Sequence, residues 1–598
     1  MTARLDTPRL DPAHPDAVAE RWLADFAGAL RSGNADDYPD ALATDAWWRD
    51  LLAFTGDLRS LHGESAIRPL LTGAADLEVR DEALDSSVPP ALLPTGEGPP
   101  VVQLLFRLTI RFGHVRGVAR LTPDDAGRWR ATAVLTTLDS LSGAEPAVGE
   151  RRPNGAPEPG ERVTVHWGDR RLLASECTER DPEVLVIGAG HSGLGLAAYL
   201  GAMNVHALVV ERNERVGDNW RNRYDSLVLH DPVWSNHLPM MPFPPTWPVF
   251  TPKDKMGDWL DIYARALELN VWTRTELVSA SYDPATKRWE VLLDRGGERR
   301  VLRPQHVVLA TGLSGTEPLV PDIPGTGEFA GELLHSGRYT TDPRRSGRDV
   351  VVIGTGNSGH DIAQDLYNTG AHVTLVQRGP TYVVGGTTVV DVMLKPAYGE
   401  NTAPTEIADL VGASFARRDQ GFVDGLRTAV AAMADIDRDL LDALSARGFR
   451  HHLGDGGTGA MDLFLTRNGG YYIDVGASRL VADGSIGLVA GKTVERFVPE
   501  GVVMSDGTVV PADTVVFATG FRGILDTARR ILGDAVADQC GPVWGLDDEG
   551  EIRSVWRRSG HDGFWFSGGN LTLARIYNKY LALQIKADLD GIDLPSVP

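Results

Sequence analysis

Residues 183–200 read EVLVIGAGHSGLGLAAYL. A short apolar run, Val184 to Ile187, enters Gly188-x-Gly190-x-x-Gly193 and continues as an apolar helix pattern. The first glycine permits a tight turn, and the second lets the backbone approach a pyrophosphate. The third lets the helix lie close to the strand, so that its N-terminus faces the phosphates. His191 and Ser192 occupy the variable positions and are expected to face phosphate or solvent. About twenty residues further on, a second apolar strand, ALVV, ends in Glu211, with Arg212 beside it. A carboxylate at that point accepts hydrogen bonds from an adenosine ribose. Strand, loop, helix, strand and acid in this register predict a dinucleotide-binding α/β unit.

The arrangement recurs. Residues 349–366 read DVVVIGTGNSGHDIAQDL, with Gly354, Gly356 and Gly359 in the same places and Asn357 and Ser358 between them. The position that corresponds to Glu211 is Gln377, followed by Arg378. A carboxylate there would repel a 2′-phosphate, whereas Arg378 pairs with one. The first copy therefore suits an unphosphorylated ribose and the second suits NADPH, with NADH as an alternative reductant. Two buried strand ends also look alike, Ala310-Thr311-Gly312 after HVVL and Ala518-Thr519-Gly520 after TVVF. Glycine at such an end allows a cofactor to come close.

The chain has 598 residues, enough for about four units at ~150 residues each. Its formal charge of −22 disfavours a nucleic-acid partner. Glycine makes up 66 positions, and with no low-complexity tract these belong in turns and phosphate loops. Cys177 and Cys540 are the only cysteines, too far apart for a disulfide framework, a redox CxxC or a zinc ribbon, and no metal site is expected. No apolar run is long enough to span a bilayer, so there is no integral membrane segment and the expected location is cytoplasmic.

A loose arm is expected over 1–15. Over 16–142, helical spacing of Val18, Trp22, Leu23, Phe26 and Leu30 precedes a strand-rich run, VVQLLFRLTIRF, HVRGVARLT and RWRATAVLTTL, which describes an α+β unit. Asp50, Asp57 and His62 make a conceivable acid/base set there, but loop and cap roles are the expectation. Residues 143–180, rich in Gly, Pro and charge, read as a linker. The α/β remainder divides into a unit at 181–330 and 500–598, and an inserted unit at 331–499.

The N-terminal part, through AWWRDLLAFTGDLRSLHGESAIRPLL, resembles the SnoaL-like family of the nuclear-transport-factor-like superfamily. The remainder resembles the class B flavin-containing monooxygenases, YUCCA-like members included. FAGELLHSGRY matches the signature F-x-G-x-x-x-H-x-x-x-Y through Phe329, Gly331, His335 and Tyr339, and GDNWRNRYDSLVLH and the two ATG strand ends accompany it. The Baeyer–Villiger branch usually ends this signature in Trp followed by Pro or Asp, whereas this chain has Tyr339-Thr340. The fold so implied is two Rossmann-like domains, for FAD and NADPH, preceded by the α+β domain.

The resemblance implies FAD on the first loop, NADPH on the second, and O2 added at the flavin to give a C4a-(hydro)peroxyflavin that oxygenates a small-molecule substrate. Baeyer–Villiger oxidation of a ketone and oxidative decarboxylation of a 2-oxo acid are alternatives. A non-oxygenating FAD/NADPH reductase, or a scaffold, is the alternative of another class. Asn236, in VWSNHLP, falls where related enzymes place an asparagine near flavin and NADP⁺, though a turn-forming role fits it too. His335 and Tyr339 are catalytic candidates by signature and latch candidates by their place between the units. Asn219 and Trp220 of GDNW join the cofactor contacts, as do Ala310, Thr311, Gly312, Thr519 and Gly520. Asn570 begins a C-terminal helix, either at the flavin's pyrimidine edge or as an N-cap. Oligomeric state stays open, with a homodimer as one option.

Overall fold

The computed structural model describes residues 14–94, 98–156 and 164–596. The arm expected over 1–15 lies almost wholly outside the described residues.

The N-terminal unit packs helices Pro15–Ser32 and Glu64–Ala74 against a curved sheet. Strands run in the order Leu58–His62, Leu42–Leu51, Trp129–Leu141, Gly113–Pro123, Val101–Ile110, Arg80–Leu84, and Ala91–Leu93 also pairs with Val101–Ile110. The three long strands from Val101 to Leu141 form the antiparallel meander that their alternation foretells. Val18, Trp22, Leu23, Phe26 and Leu30 are all buried, and Trp22 stacks on Phe26 at 4.9 Å. Asp50, Asp57 and His62 do not converge. Asp50 accepts bonds from Phe54 N, Thr55 N, Thr55 Oγ1 and Thr136 Oγ1, Asp57 pairs with Arg557, and His62 stacks on Trp47.

Two parallel sheets follow. The first orders Asn270–Trp272, Ala207–Val210, Val184–Ile187, His306–Leu309 and Phe564–Phe566. The second orders Glu332–His335, Thr514–Phe517, Asp349–Ile353, His372–Gln377 and Gly487–Ala490. Their central strands are continuous apolar runs because both faces are covered. Thr514–Phe517 corrects the expected boundary at residue 500, since it pairs with Asp349–Ile353 and Glu332–His335 in the second sheet. The chain regains the first sheet only at Phe564–Phe566 and then forms the long helix Leu571–Asp590. The linker expected over 143–180 also needs correction. Helix Trp167–Glu176 lies within it and docks on the first unit through Glu176–Arg295 and the Trp167 indole on Glu268.

An insertion between His372–Gln377 and Gly487–Ala490 carries a small sheet, Thr381–Gly385, His451–His452 and Tyr471–Asp474, and helices that include Thr405–Ala413.

One buried cluster joins the N-terminal unit to the rest. Arg49 forks onto Glu551 at 2.7 and 2.8 Å, and also donates to Ala413 O and the Tyr577 hydroxyl. Ser60 Oγ donates to the same carboxylate at 2.7 Å. Burial would raise the Glu551 carboxyl, but Arg49, Arg417 and Ser60 outweigh it and hold it down at about 2. Flanking pairs, Arg59–Glu549 and Arg557–Asp57, extend the seam.

Removing one partner of a buried pair strands the other, at a cost of about 3–5 kcal/mol. Glu551→Gln should therefore lower the denaturation midpoint clearly at pH 7. Because the folded carboxyl titrates below its unfolded value near 4.5, its contribution is present above that pH and is lost as pH falls toward 2. The deficit of the variant should accordingly shrink between pH 5 and pH 3; an unchanged deficit contradicts this account.

Candidate functional site

Each glycine loop is closed by its own strand end. Gly188 has φ +110°, and a Cβ there would lie 2.6 Å from Ala310 O. Gly354 has φ +118°, and a Cβ there would lie 2.3 Å from Ala518 O. The third glycines are tighter still: a Cβ at Gly193 or Gly359 would meet the carbonyl oxygen of Gly188 or Gly354 at 2.0 Å. Helices His191–Ala202 and Asn357–Asn368 thus start hard against their strands, with Gly190 and Gly356 as N-caps that supply no side-chain acceptor. Their leading N–H groups are left for an anionic ligand, with the helix dipole behind them.

The strand ends that follow the two loops differ in charge. Glu211 is buried, with Oε2 accepting from Ala189 N at 3.0 Å and Oε1 from Asn213 N at 2.9 Å, which fixes the carboxylate at the first loop. Arg212 beside it is exposed. Gln377 is fully buried, and its amide donates to Arg450 O and accepts from Arg450 N, both at 2.8 Å. Arg378 is exposed next to it. Arg450, brought alongside by the insertion, is a second cation at this strand end. Only the folded chain shows it, because it lies far along the sequence from Gln377.

The remaining candidates are engaged by the chain itself. His191 Nε2 bonds with Gly569 O at 3.0 Å, and Ser192 Oγ with Ser567 Oγ at 2.6 Å, so both side chains face the C-terminal segment. Burial holds the His191 ring below its usual pKa. Asn219 Nδ2 lies 3.7 Å from a Cβ built on Gly190, placing it across the first loop, and the Trp220 Nε1 and Thr311 Oγ1 atoms are buried without partners. Gly312 and Gly520 have positive φ, and Thr519 Oγ1 donates to Leu319 O. Asn357 Oδ1 accepts from Ile473 N, while Ser358 opens its helix beside it. Asn570 caps the last helix, its Oδ1 accepting from Leu573 N at 3.0 Å, and its Nδ2 donates to Asp231 Oδ2 at 3.2 Å.

Each of the three catalytic candidates is held by contacts within the chain. Asn236 is fully buried and closes a turn, with Nδ2 donating to Asp231 O at 2.8 Å and Oδ1 left without a partner. His335 links its strand end to Gly520 O at 2.9 Å and accepts from Gly337 N. Tyr339 is 1% exposed and donates to Asp365 Oδ2 at 2.8 Å. His335 and Tyr339 thus make the contacts of the latch that their place between the units suggests, and Asn236 those of a turn.

Beyond Tyr339, the residues of that junction carry no motif. Asp361 and Asp365, one turn apart on Asn357–Asn368, receive the first unit's 224–230 segment. Tyr224 and His230 bond to Asp361 at 2.8 and 3.0 Å, and Ser226, Tyr339 and Thr341 gather on Asp365. Burial lowers the His230 pKa, but Asp361 reverses this and raises it overall. Asp231, its neighbour, is pushed up by burial. Two acids at i and i+4 inside a buried helix face were the available sequence signal. Among the described residues there is no cluster able to hold a metal ion.

Taken together, the crowded glycines, the uncapped helix starts and the contrast of Glu211 with Gln377-Arg378 are chemically suited to two dinucleotides. Residues 181–391 match the family model described as flavin-binding monooxygenase-like. Over 364 residues the chain is 32% identical to indole-3-pyruvate monooxygenase YUCCA1 of Oryza sativa subsp. japonica, covering 59% of this chain and 80% of that protein. It is 29% identical over 432 residues to indole-3-pyruvate monooxygenase YUCCA8 of Oryza sativa subsp. indica, covering 70% and 93%. Among solved structures, the open form of cyclohexanone monooxygenase aligns with a TM-score of 0.50 at 18% identity, over 69% of this chain and 88% of that one, a likeness of fold.

Arg378→Ala should raise KM for NADPH by about tenfold or more and leave KM for NADH unchanged, since a charge-assisted phosphate contact contributes ~1.5–3 kcal/mol. Equal effects on both cofactors would show that Arg378 does not read the 2′-phosphate.

Proposed function

The chain belongs to the flavin-binding monooxygenase-like family, and on that premise we propose that it is an FAD- and NADPH-dependent enzyme placing one oxygen atom of O2 on a small organic substrate. The observation that carries this reading is the pair of uncapped glycine loops with opposite ribose chemistry, Glu211 at one and Gln377-Arg378 at the other.

In this reading the two α/β units are Rossmann-like. FAD lies on Gly188, Gly190 and Gly193, with Glu211 accepting from its ribose, and NADPH lies on Gly354, Gly356 and Gly359, with Arg378 at the 2′-phosphate. The bound flavin supplies the electron transfer and oxygen activation that side chains do not provide. The protein's part is to hold, orient and exclude water. Backbone N–H groups at the starts of His191–Ala202 and Asn357–Asn368 take the pyrophosphates. Glu211 turns a 2′-phosphate away from the first loop by repulsion. His191, held neutral by burial, adds no cation there. Asp361, bonded to His230 Nε2, raises the basicity of that ring at the junction of the units.

Oxidative decarboxylation of a 2-oxo acid is the second reading, favoured by the indole-3-pyruvate monooxygenases among the relatives. The N-terminal unit, SnoaL-like by resemblance, acts as a brace, a role supported by the buried Arg49–Glu551 cluster. No helix among the described residues is long and apolar enough to cross a membrane. The free Cys177 and Cys540 suit a reducing, cytoplasmic setting.

The protein should purify yellow, bleach when NADPH is added anaerobically, and regain its colour when oxygen is admitted. With sulfides, amines, ketones and 2-oxo acids supplied in turn, one class should accelerate NADPH use and yield an oxygenated or decarboxylated product. Absence of flavin, or flavin that NADPH does not bleach, would overturn the reading.

A further inference from the structure

The last helix grips one turn of the first unit through several side chains. Arg575, 6% exposed, donates through Nη1 to Ser235 O at 2.7 Å and His237 O at 2.8 Å, the carbonyls on either side of Asn236. Thr572 Oγ1 donates to the same Ser235 carbonyl at 2.8 Å, and Asn570 reaches Asp231 from the helix start. Asn236 closes the turn on itself through Asp231 O. Residues 231–237 are therefore held at both ends by Leu571–Asp590 and its cap.

The orientation of Arg575 is itself fixed. Nε and Nη2 form a fork on Asp409, at 2.8 and 2.7 Å, and Asp409 also accepts from the Tyr398 hydroxyl at 2.9 Å. Asp409 belongs to Thr405–Ala413, in the insertion of the second unit, so the fork joins second-unit chain to a first-unit turn. The head of that turn faces the other way across the junction, where His230 bonds Asp361 beside the second glycine loop. Asp231, between them, is bonded to the cap Asn570, and the carbonyl of the preceding Gly569 bonds His191 of the first loop. The turn is thus gripped by the last helix of the first unit, while His230 at its head is bonded to the second unit.

A buried ion pair is a poor device for stability alone, because apolar side chains of equal volume do as well or better. What a guanidinium adds is direction: its planar fork sets carbonyl and carboxylate partners at defined angles.

Resting on the two-cofactor reading above, we propose that Arg575, oriented by Asp409, is a positioning residue that fixes the 231–237 turn, and with it His230 and Asp231, between the FAD loop and the NADPH loop. The pair acts on the meeting of the two cofactors and not on the hold of either one. Flavin retention depends on Gly188–Gly193 and Glu211, which Arg575 does not touch.

Asp409→Asn and Arg575→Lys, purified as holoproteins, separate positioning from simple glue. Four quantities are measured: flavin per chain, melting temperature, the change that NADP⁺ causes in the visible flavin spectrum, and the anaerobic bleaching rate across NADPH concentration. For Asp409→Asn, flavin content and the NADPH concentration for half-maximal rate should stay as in wild type. Its saturating bleaching rate should fall by about tenfold or more, as small misplacements of reacting groups do, and the NADP⁺ spectral change should diminish. Arg575→Lys, whose ammonium still reaches the carbonyls, should recover part of both. If Asp409→Asn yields no folded protein, Arg575→Lys alone is held to the same pattern, with a smaller loss. A wild-type bleaching rate in a variant overturns the inference, as does a rate loss that tracks lost flavin and a lowered melting temperature. Wild-type protein without flavin overturns the underlying reading instead.

Discussion

The structure depends on how closely a helix can start against a strand. At both loops the third glycine's missing side chain leaves room for a carbonyl oxygen that would otherwise sit 2.0 Å from a Cβ. That approach brings an uncapped helix N-terminus over the end of a parallel strand, where anion binding follows from the backbone alone. A side chain there would push the helix away and remove the site along with the packing. The duplicated loop therefore accounts for the two alike strand-to-helix starts, and on the proposed reading for two dinucleotide sites.

Polar pairs then join the units that these loops define. Arg49 and Glu551 bind the N-terminal unit to the segment before the last helix, with Tyr577 of that helix drawn into the same cluster. Asp361 and Asp365 gather the first unit's 224–230 segment onto the second unit's first helix. Arg575 and Asp409 tie the insertion to the turn beside both loops. Each seam is buried and directional, so the units are set in register rather than merely pressed together.

The local signals were legible because they depend on neighbours in sequence. Gly188, Gly190 and Gly193, their copies at 354–359, and the contrast of Glu211 with Gln377 could all be read as written. The N-terminal helix and meander were equally plain from periodicity. What escaped depends on long-range pairing. Thr514–Phe517 looks like any buried strand until its partners are known, so it was placed in the wrong unit. His335 and Tyr339 matched a signature, yet spacing says nothing of whether a side chain is spent on Gly520 O or Asp365. Arg450 and Arg575 carry no motif at all. Helix Trp167–Glu176 hid in a stretch whose composition suggested a linker, and its order comes from contacts with Glu268 and Arg295.

The central claim, that the first loop holds flavin and the second holds the nicotinamide dinucleotide, is tested most directly by one methyl group at each. Gly193→Ala and Gly359→Ala are purified side by side, checked for native secondary structure, and scored for flavin per chain and for anaerobic bleaching by NADPH. The account predicts a colourless Gly193→Ala protein and a yellow Gly359→Ala protein that NADPH no longer bleaches. Flavin kept by Gly193→Ala and lost from Gly359→Ala would contradict it.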